Sequence, residues 1–337
     1  MVILLPKVNW HSLCSKLNTM YRKRIMVLLV AIMVIIYQPS YCQTCCSGGV
    51  PLSANIGLPS ADKGSLQFLL SYDYNLLKTL KSGSTELDDN LRERVTQSVL
   101  VSTGYTFNHR FSLNFLFSFI RQERHIFTTL GTNSTITNGV GDGILLFRYN
   151  ILSKNANTSL LAGLGPKIPM GSTDKTSENG ITLPADLQPG SGAWDIVFWS
   201  TFSQSLSFRR SMAVVVTSTY RATGVNPDYL GSIAYEFGDE LQIIAGIADQ
   251  FVIGGGIWDP SVLFRYRRAG RDKSNEVVID ASGGEWIFLL PGIKYAVIPA
   301  MSVSASIEIP LYSYVNNTQL TPTCRFTASV YYRFDKE

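Results

Sequence analysis

Charge is what this chain has least of: Asp, Glu, Lys and Arg make up 16% of its 337 residues, against about 25% in an ordinary soluble domain. A surface so short of charge cannot face water everywhere. Disorder is excluded too, because 45% of the chain is apolar and 11% aromatic, more than enough to drive burial. Long hydrophobic runs are missing as well. Apart from one N-terminal stretch, no window approaches the ~20 consecutive apolar residues a membrane-spanning helix requires, which excludes a polytopic helical membrane protein. With five cysteines and three histidines, and no CxxC or His-rich spacing, nothing in the pattern points to a metal.

The N-terminal stretch reads as a secretory leader. Arg22, Lys23 and Arg24 precede an apolar run over 25–37, then Pro39 and Ser40-Tyr41-Cys42. A basic start, a short apolar core and small residues at the exit predict cleavage before Gln43, with Met20 a candidate start. The run is too short to span comfortably as a retained helical anchor. Residues 1–42 hold five basic side chains (Lys7, Lys16, Arg22, Lys23, Arg24) and no acidic ones. Taking five from the 29 basic residues leaves 24 against 25 acidic, so the formal charge falls from +4 to −1. A nucleic-acid partner loses its only support. Cys45, Cys46 and Cys324 remain, an odd number that argues against a disulfide framework, and none follows the pattern expected before a lipidated cysteine.

From about Leu66 onward the pattern has period two, the signature of strands. Over 111–121, Phe111, Leu113, Phe115, Phe117 and Phe119 alternate with Ser112, Asn114, Leu116, Ser118 and Ile120. About twelve such stretches occur, near 65–75, 94–107, 111–123, 140–151, 158–168, 193–204, 211–223, 229–237 or 240–250, 260–268, 285–297, 301–312 and 323–334. Short connections (108–110, 153–157, 206–210, 299–300) alternate with long polar ones (125–138, 170–192, 269–284, 313–322). Short turns on one rim, long loops on the other and an even strand number define a transmembrane barrel. A soluble sandwich also alternates, but its strands run to five or six residues, and here no helical pattern covers a dozen greasy faces. The expected fold is therefore all-β: a transmembrane antiparallel up-and-down β-barrel of about twelve strands over 65–334, after a cleaved signal peptide. A periplasmic or plug segment (43–64) precedes it and a short tail (335–337) follows. The last strand alternates Cys324, Phe326, Ala328, Val330, Tyr332 and Phe334 with polar residues and ends on an aromatic, resembling the assembly signal of bacterial outer-membrane barrels.

If the apolar parity faces lipid, the other parity lines the interior, where wall charges are tolerated. It holds Asp73, Asp142, Arg148, Asp195, Arg221, Arg265, Arg267, Lys294, Glu308, Arg325 and Arg333, together with Trp199, Trp286, Phe288, Leu116 and Ile120. These charges either line a path or pair with one another. Trp199, Trp286 and Phe288 are the candidate apolar lumen contacts, and Asp195, Arg148, Arg221, Arg265 and Glu308 the polar ones. A twelve-strand barrel is narrow, between filled eight-strand and open sixteen-strand examples, which favours a selective conduit over a general pore. Catalytic readings are weak. His109 falls in a turn, His125 at a strand end, and Ser134 and Thr128 in an expected loop; Gly139–Gly143 lacks the strand–helix context of a phosphate loop. No enzyme, no cofactor and no metal is expected.

Several stretches, taken in order, resemble one family: Gly141-Asp142-Gly143 leading to Leu145, Phe147, Arg148 and Tyr149; the run 163–171, Gly-Leu-Gly-Pro-Lys-Ile-Pro-Met-Gly; Gly190-Ser191-Gly192-Ala193-Trp194-Asp195; Ser282-Gly283-Gly284 with Pro291-Gly292-Ile293; and Ile309-Pro310-Leu311-Tyr312. The family is the MetA-pathway-of-phenol-degradation group of outer-membrane transporters, relatives of the fatty-acid-transporter barrels, and Cys45-Cys46-Ser47-Gly48-Gly49 resembles a leader-proximal segment of Bacteroidetes-type members. The resemblance implies a barrel in the bacterial outer membrane, in contact with its lipid, that passes small hydrophobic or aromatic molecules. It carries over no catalytic or ligand residue. The alternative is a structural or adhesive barrel whose long loops, 170–192 above all, bind an external partner. The sequence does not define an oligomeric state.

Overall fold

The computed structural model describes residues 58–59, 61–129, 131–152 and 157–335. The expected leader, most of segment 43–64 and the end of the tail lie outside these residues, as do Cys45 and Cys46. No helix among the described residues is long and apolar enough to cross a membrane, so crossing falls to strands.

Eleven strands form a closed antiparallel cycle: Leu66–Gly83, Arg92–Thr106, Phe111–Thr128, Gly143–Asn150, Thr158–Ile168, Asp195–Leu206, Arg209–Ala222, Glu240–Ala248, Gly256–Ala269, Gly284–Ile298 and Met301–Phe334. Sheet order follows chain order, and pairing of the last strand with the first closes the wall. The last strand is 34 residues long, roughly 110 Å if extended at ~3.3 Å per residue, far beyond any bilayer. It folds back on itself. Residues 301–315 pair with Gly284–Ile298 while 315–334 pair with Leu66–Gly83, and the Arg333 N–H donates to the Ala300 carbonyl at 2.8 Å. The reversal falls at Asn316-Asn317, where Asn317 has φ of 56°, a left-handed conformation Asn tolerates. Counted as a hairpin, this element occupies two wall positions, which gives the even number an up-and-down barrel requires.

Parity sorts the wall as the alternation predicts. Leu164, Ile243, Val262, Phe264 and Ile309 point outward and are exposed, forming the band that lipid covers. Outward aromatics gather at the rim carrying the short turns: Phe68 with Phe334 (ring centroids 5.8 Å apart), Phe111 with Tyr149 (5.0 Å), and Tyr105 with Phe107 (5.0 Å). Such a girdle marks a membrane interface, and short turns mark that rim as periplasmic. Cys324 is a free, outward-facing thiol.

The uncertain region 229–259 resolves into two parts. Glu240–Ala248 is the wall strand, paired to Ala213–Arg221 on one side and Ser261–Ala269 on the other. Val225–Tyr229 and Ile233–Glu236 join Lys273–Ser274 and Val277–Val278 in a separate four-stranded sheet among the long connections. Two expected loops are corrected. Most of 125–138 is strand: Phe111–Thr128 pairs with Gly131–Val140 as far as Thr128 opposite Gly131. Likewise, 313–322 is a tight reversal within paired strands. Both segments extend beyond the bilayer, where the outer face meets water. The apolar parity that would reveal a strand is absent there.

Candidate functional site

The inward faces carry a belt of buried charges, each placed by strand register. Lys167, fully buried, sits opposite Asp195 on the next strand. Its Nζ lies 2.7 Å from Asp142 Oδ2 and 3.0 Å from Asp195 Oδ2. Arg221 reaches Asp195 at 3.8 Å and Glu240 at 3.3 Å, and Arg267 Nε meets Glu240 Oε1 at 2.7 Å. Five consecutive wall strands and the Gly141-Asp142 break before a sixth are thus tied by one chain of alternating charges. Farther round, Arg265 pairs with Glu308, and Arg325 Nε grips Asp73 at 2.7 and 2.8 Å. Arg267 stacks on Trp286 at 4.9 Å and Arg265 on Phe288 at 4.8 Å. Buried charges persist only when compensated, and this arrangement compensates each of these by a neighbour.

The other half of the interior is mixed, with Ser98, Ser102, Asn114, Ser118 and Gln122 buried alongside apolar side chains. Leu100, Leu116, Ile144, Leu146, Leu161, Val197 and Trp199 pack as one buried cluster against the inner wall, and Arg148 lies over Trp199 at 5.6 Å. Arg148 is held by neutral acceptors, Ser112 Oγ at 3.1 Å and the Leu58 carbonyl. Gln67 Nε2 donates to the Pro59 carbonyl at 3.0 Å. Leu58 and Pro59, in segment 43–64, therefore lie inside the periplasmic end.

The long connection 169–194 folds inward. Leu183, Ala185, Leu187, Gln188, Ser191 and Ala193 are buried. Arg94 Nη1 donates to Asp186 Oδ2 at 2.6 Å and Thr137 Oγ1 to the Leu187 carbonyl at 2.8 Å, both from inward wall positions. At the base of the loop, Asp142 accepts from the N–H groups of Ser191 (3.0 Å) and Gly171 (3.1 Å), while Lys167 Nζ donates to Ser191 Oγ and to the Ala193 carbonyl. The two arms cross at Gly171 and Gly190, where a Cβ on Gly171 would sit 2.5 Å from the Gly190 Cα. Much of 170–192 is thereby held inward, while Met170 and Ile181 stay exposed. The charged belt that a barrel wall cannot leave uncompensated supplies the anchor that draws it in.

Two cavities lie on either side of the belt. The extracellular one, about 430 Å³, has Arg221, Glu240 and Arg267 as its floor and Tyr229, Tyr235 and Phe237 on its wall. Asp272, on a connection outside the membrane, accepts from Tyr235 Oη at 2.8 Å and from the Gly238 N–H at 2.8 Å. Burial nonetheless pushes its carboxyl above the usual range. The periplasmic cavity, about 570 Å³, reaches from Glu308 to the rim. Both volumes fall in the range of small-molecule sites.

Every candidate lumen residue is buried inside the wall: Trp199, Trp286 and Phe288, with Asp195, Arg148, Arg221, Arg265 and Glu308. The structure joins Asp195 to Arg221, and Arg265 to Glu308 and Phe288; Arg148 and Trp199 stand apart from the belt. Lys294 lies at the periplasmic mouth against Asp259, 2.5 Å away. Sequence reasoning missed Lys167, Glu240 and Arg94, although parity alone places all three inward. Strand extension brings Ser134 opposite His125, with Oγ 2.7 Å from Nδ1 and Glu123 3.7 Å from Nε2. These groups project from paired sheet beyond the ends of the wall strands. Among the described residues no cluster of three or more His, Cys, Asp or Glu could hold a metal.

A closed, lipid-banded, internally charged wall defines a transmembrane β-barrel of bacterial outer-membrane type. Among solved structures, the COG4313 outer membrane channel from Pseudomonas putida F1 superposes with a TM-score of 0.66 at 16% identity, covering 85% of this chain and 100% of that one. The β domain of the Bordetella autotransporter BrkA gives 0.46 at 10% identity (81% and 100% covered), and a Pseudomonas aeruginosa FadL homologue 0.44 at 9% (87% and 99%). At these identities the likeness is one of fold. No family model and no curated protein matches the chain.

Proposed function

We propose that the barrel is an outer-membrane channel or transporter for the passive passage of small hydrophobic or aromatic molecules, the role its family resemblance implies. The observation that carries this reading is the pair of cavities facing opposite sides of the membrane across a belt of fully compensated charge. A solid interior would have no use for either. Charges paired to one another leave a wall that neutral solutes can pass without displacing a counter-ion, and Trp286 and Phe288 beside Arg267 and Arg265 offer apolar surface at the same level. The outer membrane's COG4313 channel supports the reading at the level of architecture. The alternative, partner binding through 170–192, is weakened by that loop's inward fold. No cofactor, nucleic acid or catalytic step enters the proposal. Proteoliposomes swelling in small neutral solutes at a rate set by solute size and polarity are the expected result; liposomes that stay sealed to every solute would overturn it.

A further inference from the structure

The periplasmic cavity has an inner surface that a water-filled conduit does not call for. Val215, Ile244, Leu263 and Leu290 project inward from four consecutive wall strands and line it, each only partly buried. Register brings them into one patch: Val215 and Leu263 flank Gly246 on either side, Thr217 lies opposite Ile244, and Leu263 opposite Leu290. Barrel interiors open to water are polar, so a contiguous aliphatic patch that no described residue covers is matched to an apolar surface on something else. The adjoining wall is of a different kind. Ser304, Ser306 and Thr327 line it, and Ser71 and Ser329 bond each other at 2.8 Å, a ladder of hydroxyls from the hairpin strands and the first strand.

Charge decides the rest. The ionic groups bordering the cavity already have partners: Glu308 with Arg265, Lys294 with Asp259 at 2.5 Å, and Arg333 with Asp335 at 2.9 Å. An ionic ligand would have to break one of these pairs, whereas a hydroxyl or carbonyl needs only the serine and threonine edge. The geometry points to a binding chamber for uncharged amphipathic small molecules, with the apolar body on Val215, Ile244, Leu263 and Leu290 and the polar edge on the hydroxyl ladder. At about 570 Å³ the chamber suits one ligand of modest size. The inference names the cargo class of the channel proposed above and rests on that reading only for calling the ligand cargo; occupancy is tested without any flux.

The test uses the full chain in lipid nanodiscs, with its five native cysteines replaced by Ser and Ser304→Cys placing a single thiol in the chamber. The rate of modification by a small water-soluble methanethiosulfonate is measured with 1-hexanol or with hexanoate at a pH where it is ionised. A ligand at four times its dissociation constant lowers the free fraction about fivefold; hexanol should slow labelling by that factor as its concentration rises, hexanoate by less than about twofold. In the Leu263→Asn, Leu290→Asn background the hexanol effect should vanish. Should that variant fail to insert, Val215→Trp, which fills the patch, should slow labelling with no alcohol present. No protection by hexanol, equal or stronger protection by hexanoate, or protection unchanged by these variants would overturn the assignment. Swelling assays that fail while protection holds would remove the channel and leave the chamber.

Discussion

Replacing Lys167 by Met should open the barrel. The ammonium is fully buried between Asp142 and Asp195, 2.7 and 3.0 Å away, and also holds Ser191 and the Ala193 carbonyl, 3.2 Å away. Taking one member from a buried ionic cluster typically costs about 3–5 kcal/mol, because the remaining charges stay buried without compensation. Asp142 would keep donors from Ser191 and Gly171, and Asp195 would keep Arg221 at 3.8 Å and the Gly224 N–H at 3.0 Å. The lower end, about 3 kcal/mol, is therefore appropriate, a shift of about a hundredfold in whichever equilibrium absorbs it. The wall does not absorb it, since its ladders use backbone groups alone. The inward loop does, because its base is what Lys167 and Asp142 hold. Single-channel recording of Lys167→Met should show a raised conductance or open fraction with unchanged heat-modifiable gel mobility. Adding Asp142→Asn, which removes the stranded charge, should bring the conductance part of the way back. A Lys167→Met barrel that inserts normally and conducts like the parent would refute the assignment of the loop as a tethered constriction.

Ala at Gly171 or Gly190 should loosen the same loop by a different route, since a Cβ at either would sit 2.4–2.6 Å from backbone of the other; limited proteolysis within 172–189 should accelerate in both. Among the fully buried charges, six basic side chains (Arg94, Arg148, Lys167, Arg221, Arg265, Arg267) face five acidic ones (Asp73, Asp142, Asp195, Glu240, Glu308), so reversal potentials in a KCl gradient should show a weak anion preference that Arg148→Gln abolishes. Arg at Phe264, half exposed to lipid, should lower stability by about 2–4 kcal/mol in urea-refolding measurements, whereas Gln there should cost much less. Asp272 titrates high because burial favours its neutral form. The folded state then binds the proton more tightly than the unfolded one, so its contribution to the extracellular sheet is greatest at low pH and falls as pH rises from the unfolded carboxylate range through the folded value. Asp272→Asn should flatten that slope in hydrogen exchange over 225–236.

Much of this architecture is readable from alternation alone, because a lipid-facing wall must be apolar at every second residue. Residues 111–121 illustrate it: Phe119 is exposed and Leu116 and Ile120 are buried inside, as parity requires. The same logic fails where lipid ends. Beyond the bilayer Gly131–Val140 has polar side chains on both faces, so it reads as loop while pairing as strand. Glu240 escaped notice because two adjacent period-two stretches compete over 229–250 and only one can enter the wall. The inward loop had a faint signal in Leu183-Pro184-Ala185-Asp186-Leu187, an apolar segment inside a polar connection, but nothing local shows which way such a segment turns. That is decided by Lys167 meeting Asp142 and Ser191, a contact between distant parts of the chain.

The central claim is that solutes cross through the interior of this barrel. The most direct test is single-channel current across a planar bilayer from the chain with its five native cysteines replaced by Ser and carrying Ser306→Cys, before and after modification by a bulky, membrane-impermeant methanethiosulfonate. Ser306 lines the periplasmic cavity, so a path through the lumen predicts a current that falls stepwise on labelling and recovers on reduction. No current at all, or a current indifferent to the label, would contradict the account.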